Sequence, residues 1–471
     1  MTKKEIDEML REKHGRVLGT LDRARTSKRV LEKEWDTKIL PKTLKEVAKE
    51  YRLLGTFDPE NPVPSDPELA DAFFKAGYEA ALRLGFYCPE TESIIKLDAD
   101  ELAKDFNKAP KEFPVGQEGV VVKSRRPSDG VAPVFTAPLS IQMNEEAYIP
   151  VAQGIVSSKL VDCQEGPSLD TVMGSPMLAD TPYESFGGIY EYHLRKEAQH
   201  RAGRDGMGNT LVSSASTHLG MMAAFNLYEM PQITLCLNPA FMKVNYTTFH
   251  KCIVANELGG MIRCESPNMI GGYSGGVETT ALASIATDIL QYPIVGAHLP
   301  GSPDYDIRYG GNCGRHGLWA QSMATQAITR NSDIILMKTI NQVSGPMEEM
   351  FYLESICGMG AASASGQAFT ISPRSAGGSR KNHLTPIDAW YNAAIFKGAA
   401  GLSLEKMNEI CKKVLPMFED KLMNPPKGKS FQDLYNVETL EPIPEYRDQY
   451  LKMRKFAEDL GIPMPGDGIL S

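Results

Sequence analysis

The chain has 471 residues, 42% hydrophobic and 23% charged, an ordinary balance for a globular protein large enough to bury a substantial core. Its net charge of −9 leaves no basic excess to neutralise phosphates, which argues against nucleic acid or an anionic membrane as a partner. No window of about 18 uncharged apolar residues occurs, so no transmembrane helix is predicted, and the charged amino-terminal stretch lacks the apolar core of a signal peptide.

The eight cysteines are scattered along the chain and include no C-x-x-C pair. A chain this long and this poor in cysteine does not need disulfides, so the reducing cytoplasm is the predicted location. Most of these thiols are expected to be small buried hydrophobic side chains.

Residues 1–115 predict a helical extension with breaks at prolines. The strongest helix candidate covers residues 68–85, because Asp66 supplies a capping carboxylate and Pro67 suits a first turn. Two more helices are predicted at 44–54 and 98–106. Residues 116–187 are rich in glycine and proline, and short strands are predicted there at 119–123, 131–135 and 154–157.

From about residue 188 the predicted strands and helices alternate, and each strand-to-strand repeat has the size of one β-loop-α unit. Apolar runs without alternation indicate strands that are buried on both faces of a parallel sheet. The predicted strands lie at 210–213, 232–237, 261–264, 294–297, 334–337 and 368–371, and the predicted helices at 188–201, 246–258, 277–291, 316–330, 347–357 and 384–399.

Two architectures of the α/β class fit this alternation, a (β/α)8 TIM barrel and an open doubly wound sheet. The barrel is favoured because at least five units follow one another without a composition break, and because the glycine fingerprint of a nucleotide-binding open sheet is missing. The predicted organisation is an N-terminal helical extension (1–115), a TIM-barrel catalytic domain (116–402) and C-terminal helices packed on the barrel (403–471).

In such a barrel the chemistry collects at the carboxyl ends of the strands. Glu265 follows the apolar run of its strand, and it fits either a cation-binding or proton-handling role or a structural, salt-bridged one. His298 follows the predicted strand 294–297 and is either a polar anchor or a hydrogen-bonded core histidine. No metal site is predicted, because no other histidine or cysteine keeps ligand spacing with His298.

Other polar residues also follow predicted strands. Asn238 and Asn341 either orient a ligand or belong to turns, and Arg308 and Arg374 either bind a carboxylate or lie at the surface. The glycine loop 271–276 fails the P-loop pattern, and either binds an anion or allows close packing. The remaining strand-end candidates are Thr339, Gln342 and Ser372.

Several stretches resemble the monomethylamine:corrinoid protein methyltransferase family. They include FKAGYEAALRLGFYC (74–88), HRAGRDGMG (200–208), GGYSGGVETT (271–280), GPMEEM (345–350) and GKSFQDLYNVETL (428–440). The likeness runs through nearly the whole chain in one order. It implies a homohexameric β/α barrel that moves a methyl group from methylamine to the Co(I) corrinoid of a separate small protein. This chain lacks a D-x-H-x-x-G cobalamin signature, so no cofactor is expected on the chain itself and the partner protein is expected to bring the cobalamin.

The resemblance also implies site residues. The family's pyrrolysine falls on Thr210, and threonine has no electrophilic imine to form an amine adduct. Glu265, His298 and Arg308 match the family, whereas its glutamine and tyrosine fall on Thr339 and Asn341 and a second glutamate falls near Leu235. The candidate catalytic residues are therefore Glu265 and Thr210, and the candidate substrate-binding residues are Tyr273, His298, Arg308, Thr339, Asn341 and Asn238.

The resulting hypothesis is a corrinoid-dependent methyltransferase that works without pyrrolysine on a small methylated amine. A quaternary amine is one candidate donor, because it leaves directly as a neutral tertiary amine and needs positioning and desolvation more than an adduct. Glu265 would hold the cation, and Tyr273 would add an aromatic face. The alternatives are a non-catalytic homologue that binds a corrinoid protein or senses a methylated metabolite, and a different reaction on the same barrel.

Overall fold

The structure is a computed structural model that describes residues 1–211 and 217–470. Its amino-terminal part is mainly helical, as predicted, and Asp66 caps a helix by accepting hydrogen bonds from the backbone N–H groups of Glu68 (2.9 Å) and Leu69 (3.1 Å). The elements of this part are α1 (Lys3–Thr26), α2 (Glu32–Glu34), a π-helical turn (Trp35–Ile39), α3 (Leu40–Glu50), α4 (Pro67–Leu84), β1 (Phe86–Cys88), β2 (Ser93–Ile95), α5 (Ala99–Phe106), β3 (Glu112–Val115) and β4 (Val120–Lys123).

Strands and helices then alternate. The strands are β5 (Val134–Ala137), β6 (Gln142–Met143), β7 (Cys163–Gln164), β8 (Ser168–Leu169), β9 (Thr171–Val172), β10 (Ser175–Pro176), β11 (Gly208–Leu211), β12 (Ile233–Leu237), β13 (Met261–Glu265), β14 (Asn268–Ile270), β15 (Leu299–Gly301), β16 (Asp304–Asp306) and β17 (Phe369–Ile371). The helices are α6 (Glu145–Ser157), α7 (Pro182–Arg201), α8 (Leu219–Ala224), α9 (Tyr246–Leu258), α10 (Val277–Val295), α11 (Arg315–Asn331), α12 (Glu349–Ala364), α13 (Pro386–Gly398), α14 (Leu404–Val414), α15 (Phe431–Leu434) and α16 (Pro444–Leu460). Short 3-10 turns cover Phe225–Leu227, Ser375–Gly378, Leu415–Met417 and Glu419–Lys421.

Seven of these strands form one parallel sheet in the order β15-β13-β12-β11-β7-β5-β17. Residues 334–338 join its two ends. The backbone N–H of Met337 donates to the carbonyl of Pro300 in β15 (3.1 Å), and the carbonyl of Leu336 accepts from the N–H of Ala368 just before β17 (3.1 Å). This segment takes the eighth position, and the ring closes into the predicted (β/α)8 barrel.

The hairpin β3–β4 covers the amino-terminal end of the ring. The N–H of Gly116 in its turn donates to the carbonyl of Pro231 (2.8 Å), and Gln117 donates to the carbonyl of Gly206 (2.7 Å). Pro231 and Gly206 both lie just before a barrel strand, and the apolar side chains of the hairpin pack with the lowest layer of the barrel interior. This end is therefore closed, and only the carboxyl end of the barrel is left for chemistry.

Two predicted strands are wrong. Residues 154–157 belong to α6, where Asn144 caps the helix by accepting from the N–H of Ala147 (3.2 Å). Residues 294–295 are the last turn of α10, which continues through Pro293 and ends at Gly296 in the left-handed conformation (φ 78°). Short apolar runs do not distinguish a buried strand from a buried helical turn, because both bury every side chain.

Because α10 extends to Val295, His298 lies at the closed end of the barrel. Its strand begins at Leu299, so His298 precedes the strand instead of following it. The ring meets Phe113 of the hairpin edge-on (centroids 6.0 Å apart), and its Nδ1 accepts from the N–H of Ile262 (3.2 Å). Burial lowers the pKa of His298 to about 4, so the ring is a neutral core histidine and not a mouth residue.

The carboxyl-terminal residues pack on the barrel wall. Tyr446 of α16 donates from its hydroxyl to the buried carboxylate of Asp388 in α13 (2.8 Å). Lys427, in the connection between α14 and α15, donates to the carbonyl of Val343 at the open end of the barrel (3.2 Å). All eight cysteines are free and buried, and none of the helices in the described ranges is long and apolar enough to span a bilayer.

Candidate active site at the carboxyl end of the barrel

A chain of polar side chains crosses the barrel interior below its open end. The hydroxyl of Thr210 donates to Glu165 (2.6 Å), and Glu165 forms an ion pair with Arg263. The same guanidinium lies 2.9 Å from a carboxylate oxygen of Glu265. Arg263 and Glu265 are two residues apart in β13 and therefore point to the same face of the strand, into the barrel.

This row of polar side chains contains more negative than positive charge. Glu165 and Arg263 are fully buried and Glu265 is 5% exposed, so two carboxylates share one guanidinium away from water. Burial raises the pKa of Glu265, and the Arg263 charge offsets this only in part. Burial alone lowers the pKa of Arg263, but the two glutamates more than compensate, and the pKa lies above its usual value. With all three groups ionised, the net charge is −1.

Above the chain lies a cavity of about 460 Å³, open to solvent at the carboxyl end. Its walls are formed by the loops that follow β13, β15, the segment 334–338 and β17. Loops at this end carry the chemistry in a barrel of this kind. The lining residues used below are Met269, Tyr305, Tyr309, Asn341, Arg374 and Lys427.

Tyr305 connects the cavity to the buried acids. Its hydroxyl hydrogen-bonds the hydroxyl of Thr339 (2.6 Å), and its ring lines the cavity. Burial and then the charge of Glu265 raise the pKa of Tyr305 to about 12. The Glu265 carboxylate therefore lies close enough to act on the cavity lining electrostatically.

The structure brings Thr210, Glu265, Thr339 and Asn341 together at this end of the barrel. Asn341 lines the cavity and is 1% exposed; its Nδ2 donates to the carbonyl of Gly310 (3.2 Å). No donor in residues 1–211 or 217–470 reaches its Oδ1. Thr339 does not line the cavity itself, but its hydroxyl hydrogen-bonds the lining residue Tyr305.

Asn238 and Arg308 are held by other partners. Asn238 donates to the thiol of Cys264 (2.9 Å) and accepts from Thr248 of α9 (2.5 Å), so its amide faces the helix layer. The Nε of Arg308 donates to Asp306 (2.8 Å); Asp306 lines the cavity, whereas Arg308 does not. Burial opposes ionisation of Asp306, but hydrogen bonds from Arg308 and His316 outweigh it and hold the pKa of Asp306 well below its usual range.

Tyr273 lies on the outer rim. It is 44% exposed, it meets Phe241 edge-on (centroids 5.1 Å apart), and it is not part of the cavity wall. Its glycine loop is closed by its own hydrogen bonds, including Gly271 N–H to the carbonyl of Gly275 (2.8 Å).

Sequence analysis missed Glu165, Arg263, Tyr305 and Lys427. Arg263 carried a usable signal, because a charged residue inside the apolar run of a barrel strand needs a buried partner. Glu165 carried none, because its strand β7 is only two residues long. Lys427 lies far along the chain, in a turn that sequence alone does not place.

Comparison with known proteins identifies the lineage. The family model described as monomethylamine methyltransferase MtmB matches residues 16–462. The chain belongs to the monomethylamine methyltransferase MtmB family. The methyltransferase class and the barrel fold predicted from sequence are thereby confirmed.

Relatives in the MtmB family match the chain from end to end. MtmB1 of Methanosarcina acetivorans is 29% identical over 458 residues, which cover 94% of this chain and 97% of that protein. MtmB3 of Methanosarcina barkeri is 30% identical over 456 residues, with the same coverage. The crystal structure of the Methanosarcina barkeri enzyme superimposes with a TM-score of 0.90 at 27% identity and covers 95% of this chain and 98% of that one. A hydroxylamine complex of MtmB gives the same TM-score.

Proposed function

We propose that the chain transfers a methyl group from a small methylated amine to the Co(I) corrinoid of a separate protein, without pyrrolysine. The observation that best supports this proposal is the excess of buried carboxylate charge below the open cavity. Two glutamates share one arginine there, so a cation that enters the cavity is attracted and an anion at the same depth is repelled. A methylated ammonium group is such a cation.

Thr210 has a supporting role in this proposal. Its hydroxyl donates to Glu165, which fixes the carboxylate that in turn holds Arg263. A threonine hydroxyl in that position offers no imine for an amine adduct. The donor must therefore leave without one, and a quaternary ammonium meets this requirement because its nitrogen departs as a neutral tertiary amine.

The transfer itself needs no nucleophile from this chain. The corrinoid, as methyl acceptor, supplies the electron pair that forms the new bond to carbon. The C–N bond breaks, its electron pair leaves with nitrogen, and cobalt is oxidised formally by two electrons. The chain's residues hold the ammonium group against Glu265, keep the methyl group directed outward and exclude water from the cation.

The rim of the cavity suits a visiting macrocycle. Leu237, which pairs with Glu265 in the strand register, is 53% exposed, and Ile307 in the loop after β16 is 55% exposed. With Tyr273 they place apolar surface around the opening, where an apolar, flat cofactor edge or the protein that carries it would be desolvated. This surface supports a small corrinoid-binding protein as partner.

The test mixes the purified protein with reduced corrinoid protein and a panel of methylated amines and follows the absorbance change that accompanies methylation of Co(I). We expect methylation with at least one member of the panel, and a loss of more than 100-fold in Glu265→Gln. The matched control Glu441→Gln changes an exposed glutamate that does not line the cavity and should turn over normally.

Absence of methylation with every donor would overturn methyl transfer. In that case, tight binding of the corrinoid protein, measured by calorimetry, would support the non-catalytic alternative. If neither methylation nor binding occurs, a different reaction on the same barrel is favoured.

A further inference from the structure

Two cationic side chains line the cavity and form no ion pair with a carboxylate of residues 1–211 or 217–470. Arg374, in the loop after β17, is half-buried, and no carboxylate of the described residues lies within ion-pair distance of its guanidinium. Among the described residues, Lys427 donates to the backbone carbonyls of Val343 (3.2 Å) and Ala376 (3.5 Å), and Glu354 acts on it only through its charge, without an ion pair. The neighbouring acid Asp306 is already paired with Arg308. The cavity wall therefore carries positive charge that the described chain leaves unpaired.

Desolvation makes this arrangement costly without a ligand. Burial is the main cause that lowers the pKa of Lys427, which shows that its charge is poorly solvated. Arg374 presents a planar guanidinium fork with several N–H donors and no acceptor. An anion that contacts both side chains would form charge-assisted hydrogen bonds, and a carboxylate matches the fork of an arginine.

The positive wall and the negative floor are close together. Tyr305 lines the cavity together with Arg374 and Lys427, and the charges of Glu265 and Arg374 act on its pKa in opposite directions. A small molecule in the cavity therefore lies within the electrostatic influence of both poles. Asn341 also lines this cavity, and its buried Oδ1 accepts no hydrogen bond from residues 1–211 or 217–470.

We propose that the methyl donor is a zwitterion, an N-methylated amino acid whose ammonium group lies against Glu265 and whose carboxylate binds Arg374 and Lys427. This inference rests on the proposed function, because it places the donor in the same cavity. It also fixes the orientation of the bound donor. The carboxylate end binds at the wall, and the ammonium end lies at the barrel axis. A cation without a carboxylate would leave both positive side chains unpaired.

The test measures binding without the corrinoid protein, so that its failure is separate from a failure of methyl transfer. Isothermal titration compares N,N,N-trimethylglycine with tetramethylammonium, which has the same cationic head and no carboxylate. We expect trimethylglycine to bind at least 10-fold more tightly. Arg374→Gln and Lys427→Gln should each weaken trimethylglycine binding about 10-fold or more and should not weaken tetramethylammonium binding, because each removes a positive charge from the cavity.

The matched control is Arg447→Gln, because Arg447 is an exposed arginine of α16 that does not line the cavity. It should leave both affinities unchanged, and circular dichroism checks that every variant folds. Equal affinity for the two probes, or no loss in Arg374→Gln, would overturn the zwitterion. So would an Arg374→Gln variant that loses only its affinity for the corrinoid protein, because its charge would then serve the partner. Trimethylglycine binding that depends on Arg374, with no methylation from any donor of the panel, would leave the zwitterion site standing and overturn the proposed methyl transfer.

Discussion

Arg263 lies between two glutamates, 2.9 Å from Glu265 and in an ion pair with Glu165 on its other side. Both residues of the Arg263–Glu265 pair come from strand β13, and no water reaches the guanidinium. The arginine therefore does two things at once: it makes burial of two acids possible, and it leaves them with an uncompensated negative charge at the barrel mouth. Under the proposed function, stability and substrate binding depend on the same residue.

Replacement of Arg263 by methionine should destabilise the fold strongly. The change keeps much of the side-chain volume but leaves Glu165 and Glu265 buried without a cation. Removal of one partner from a buried ion pair costs about 3–5 kcal/mol of the free energy of unfolding. Urea unfolding followed by circular dichroism measures it. As control, Arg447→Met removes an exposed arginine that forms no ion pair with the described residues, and it should stay within about 0.5 kcal/mol of the parent. Equal losses in the two variants would contradict the assignment.

Glu265→Gln should separate function from stability. The glutamine keeps the shape of the side chain, and Arg263 keeps Glu165 as its counter-ion, so the network becomes neutral instead of losing a partner. Since the pKa of Glu265 is raised by burial, removal of its charge should cost at most about 1 kcal/mol of unfolding free energy. Binding of a methylated cation should fall by at least 10-fold. A variant that binds the cation normally would show that the acid is only structural.

The position of Thr210 gives a test of its role. Valine has the same shape without the hydroxyl, so Thr210→Val loses the 2.6 Å hydrogen bond to Glu165 at a cost of about 1 kcal/mol. We expect turnover to fall by less than 10-fold in Thr210→Val and to stay near the parent value in Thr210→Ser. If Thr210 formed a covalent adduct, turnover in Thr210→Val would vanish. Single-turnover rates at saturating donor distinguish the two results.

The long, strongly patterned elements could be predicted from the sequence. Helix α9 (Tyr246–Leu258) agrees with the prediction at both ends, because Asn245 caps it and Gly259 ends it in the left-handed conformation. Strand β13 was predicted to within one residue, which put Glu265 at its end. These elements carry their boundary signals locally, so no tertiary information is needed.

The rest required the structure. His298 was misplaced because Pro293 signals a helix end, whereas burial of the following residues keeps α10 helical for one more turn. Glu165 was overlooked because a barrel strand of two residues has no period to detect. The charges of Arg374 and Lys427 converge only after the chain has closed around the barrel. Sequence thus located the mouth of the barrel and one of its acids, while the partners of that acid depended on packing.

A buried acid behind the mouth makes stability depend on pH. Glu354 in α12 accepts hydrogen bonds from the N–H groups of Val343 (2.9 Å) and Ser344 (3.0 Å). Burial raises its pKa from 4.5 to about 8 in the folded protein, against the opposing effect of those hydrogen bonds. The folded state therefore binds more protons than the unfolded state in this window, and its stability falls as pH rises from about 4.5 to 8.

Glu354→Gln removes that dependence. At pH 5 the variant should be about 1 kcal/mol less stable than the parent, because one backbone N–H loses its acceptor. As pH rises to 8 the difference should shrink or reverse, because only the parent must bury a charge. Other buried acids titrate alike in both proteins and cancel in the comparison. Urea midpoints at a series of pH values measure the difference, and a constant gap would contradict the raised pKa of Glu354.

Closure of the barrel depends on Gly301. A Cβ at this position would lie 2.0 Å from the carbonyl oxygen of Met337, which belongs to the segment that joins β15 to β17. Because the obstacle is backbone, the alanine variant must open the ring at its seam, and Gly301→Ala should lose several kcal/mol of unfolding free energy or fail to accumulate in soluble form. Gly15→Ala is the matched control: Gly15 lies within α1 with nothing inside 4 Å of the added carbon, so alanine should stabilise the chain by up to about 1 kcal/mol. Thermal unfolding of the two variants side by side measures the contrast, and an unchanged midpoint in Gly301→Ala would mean that residues 334–338 do not close the ring.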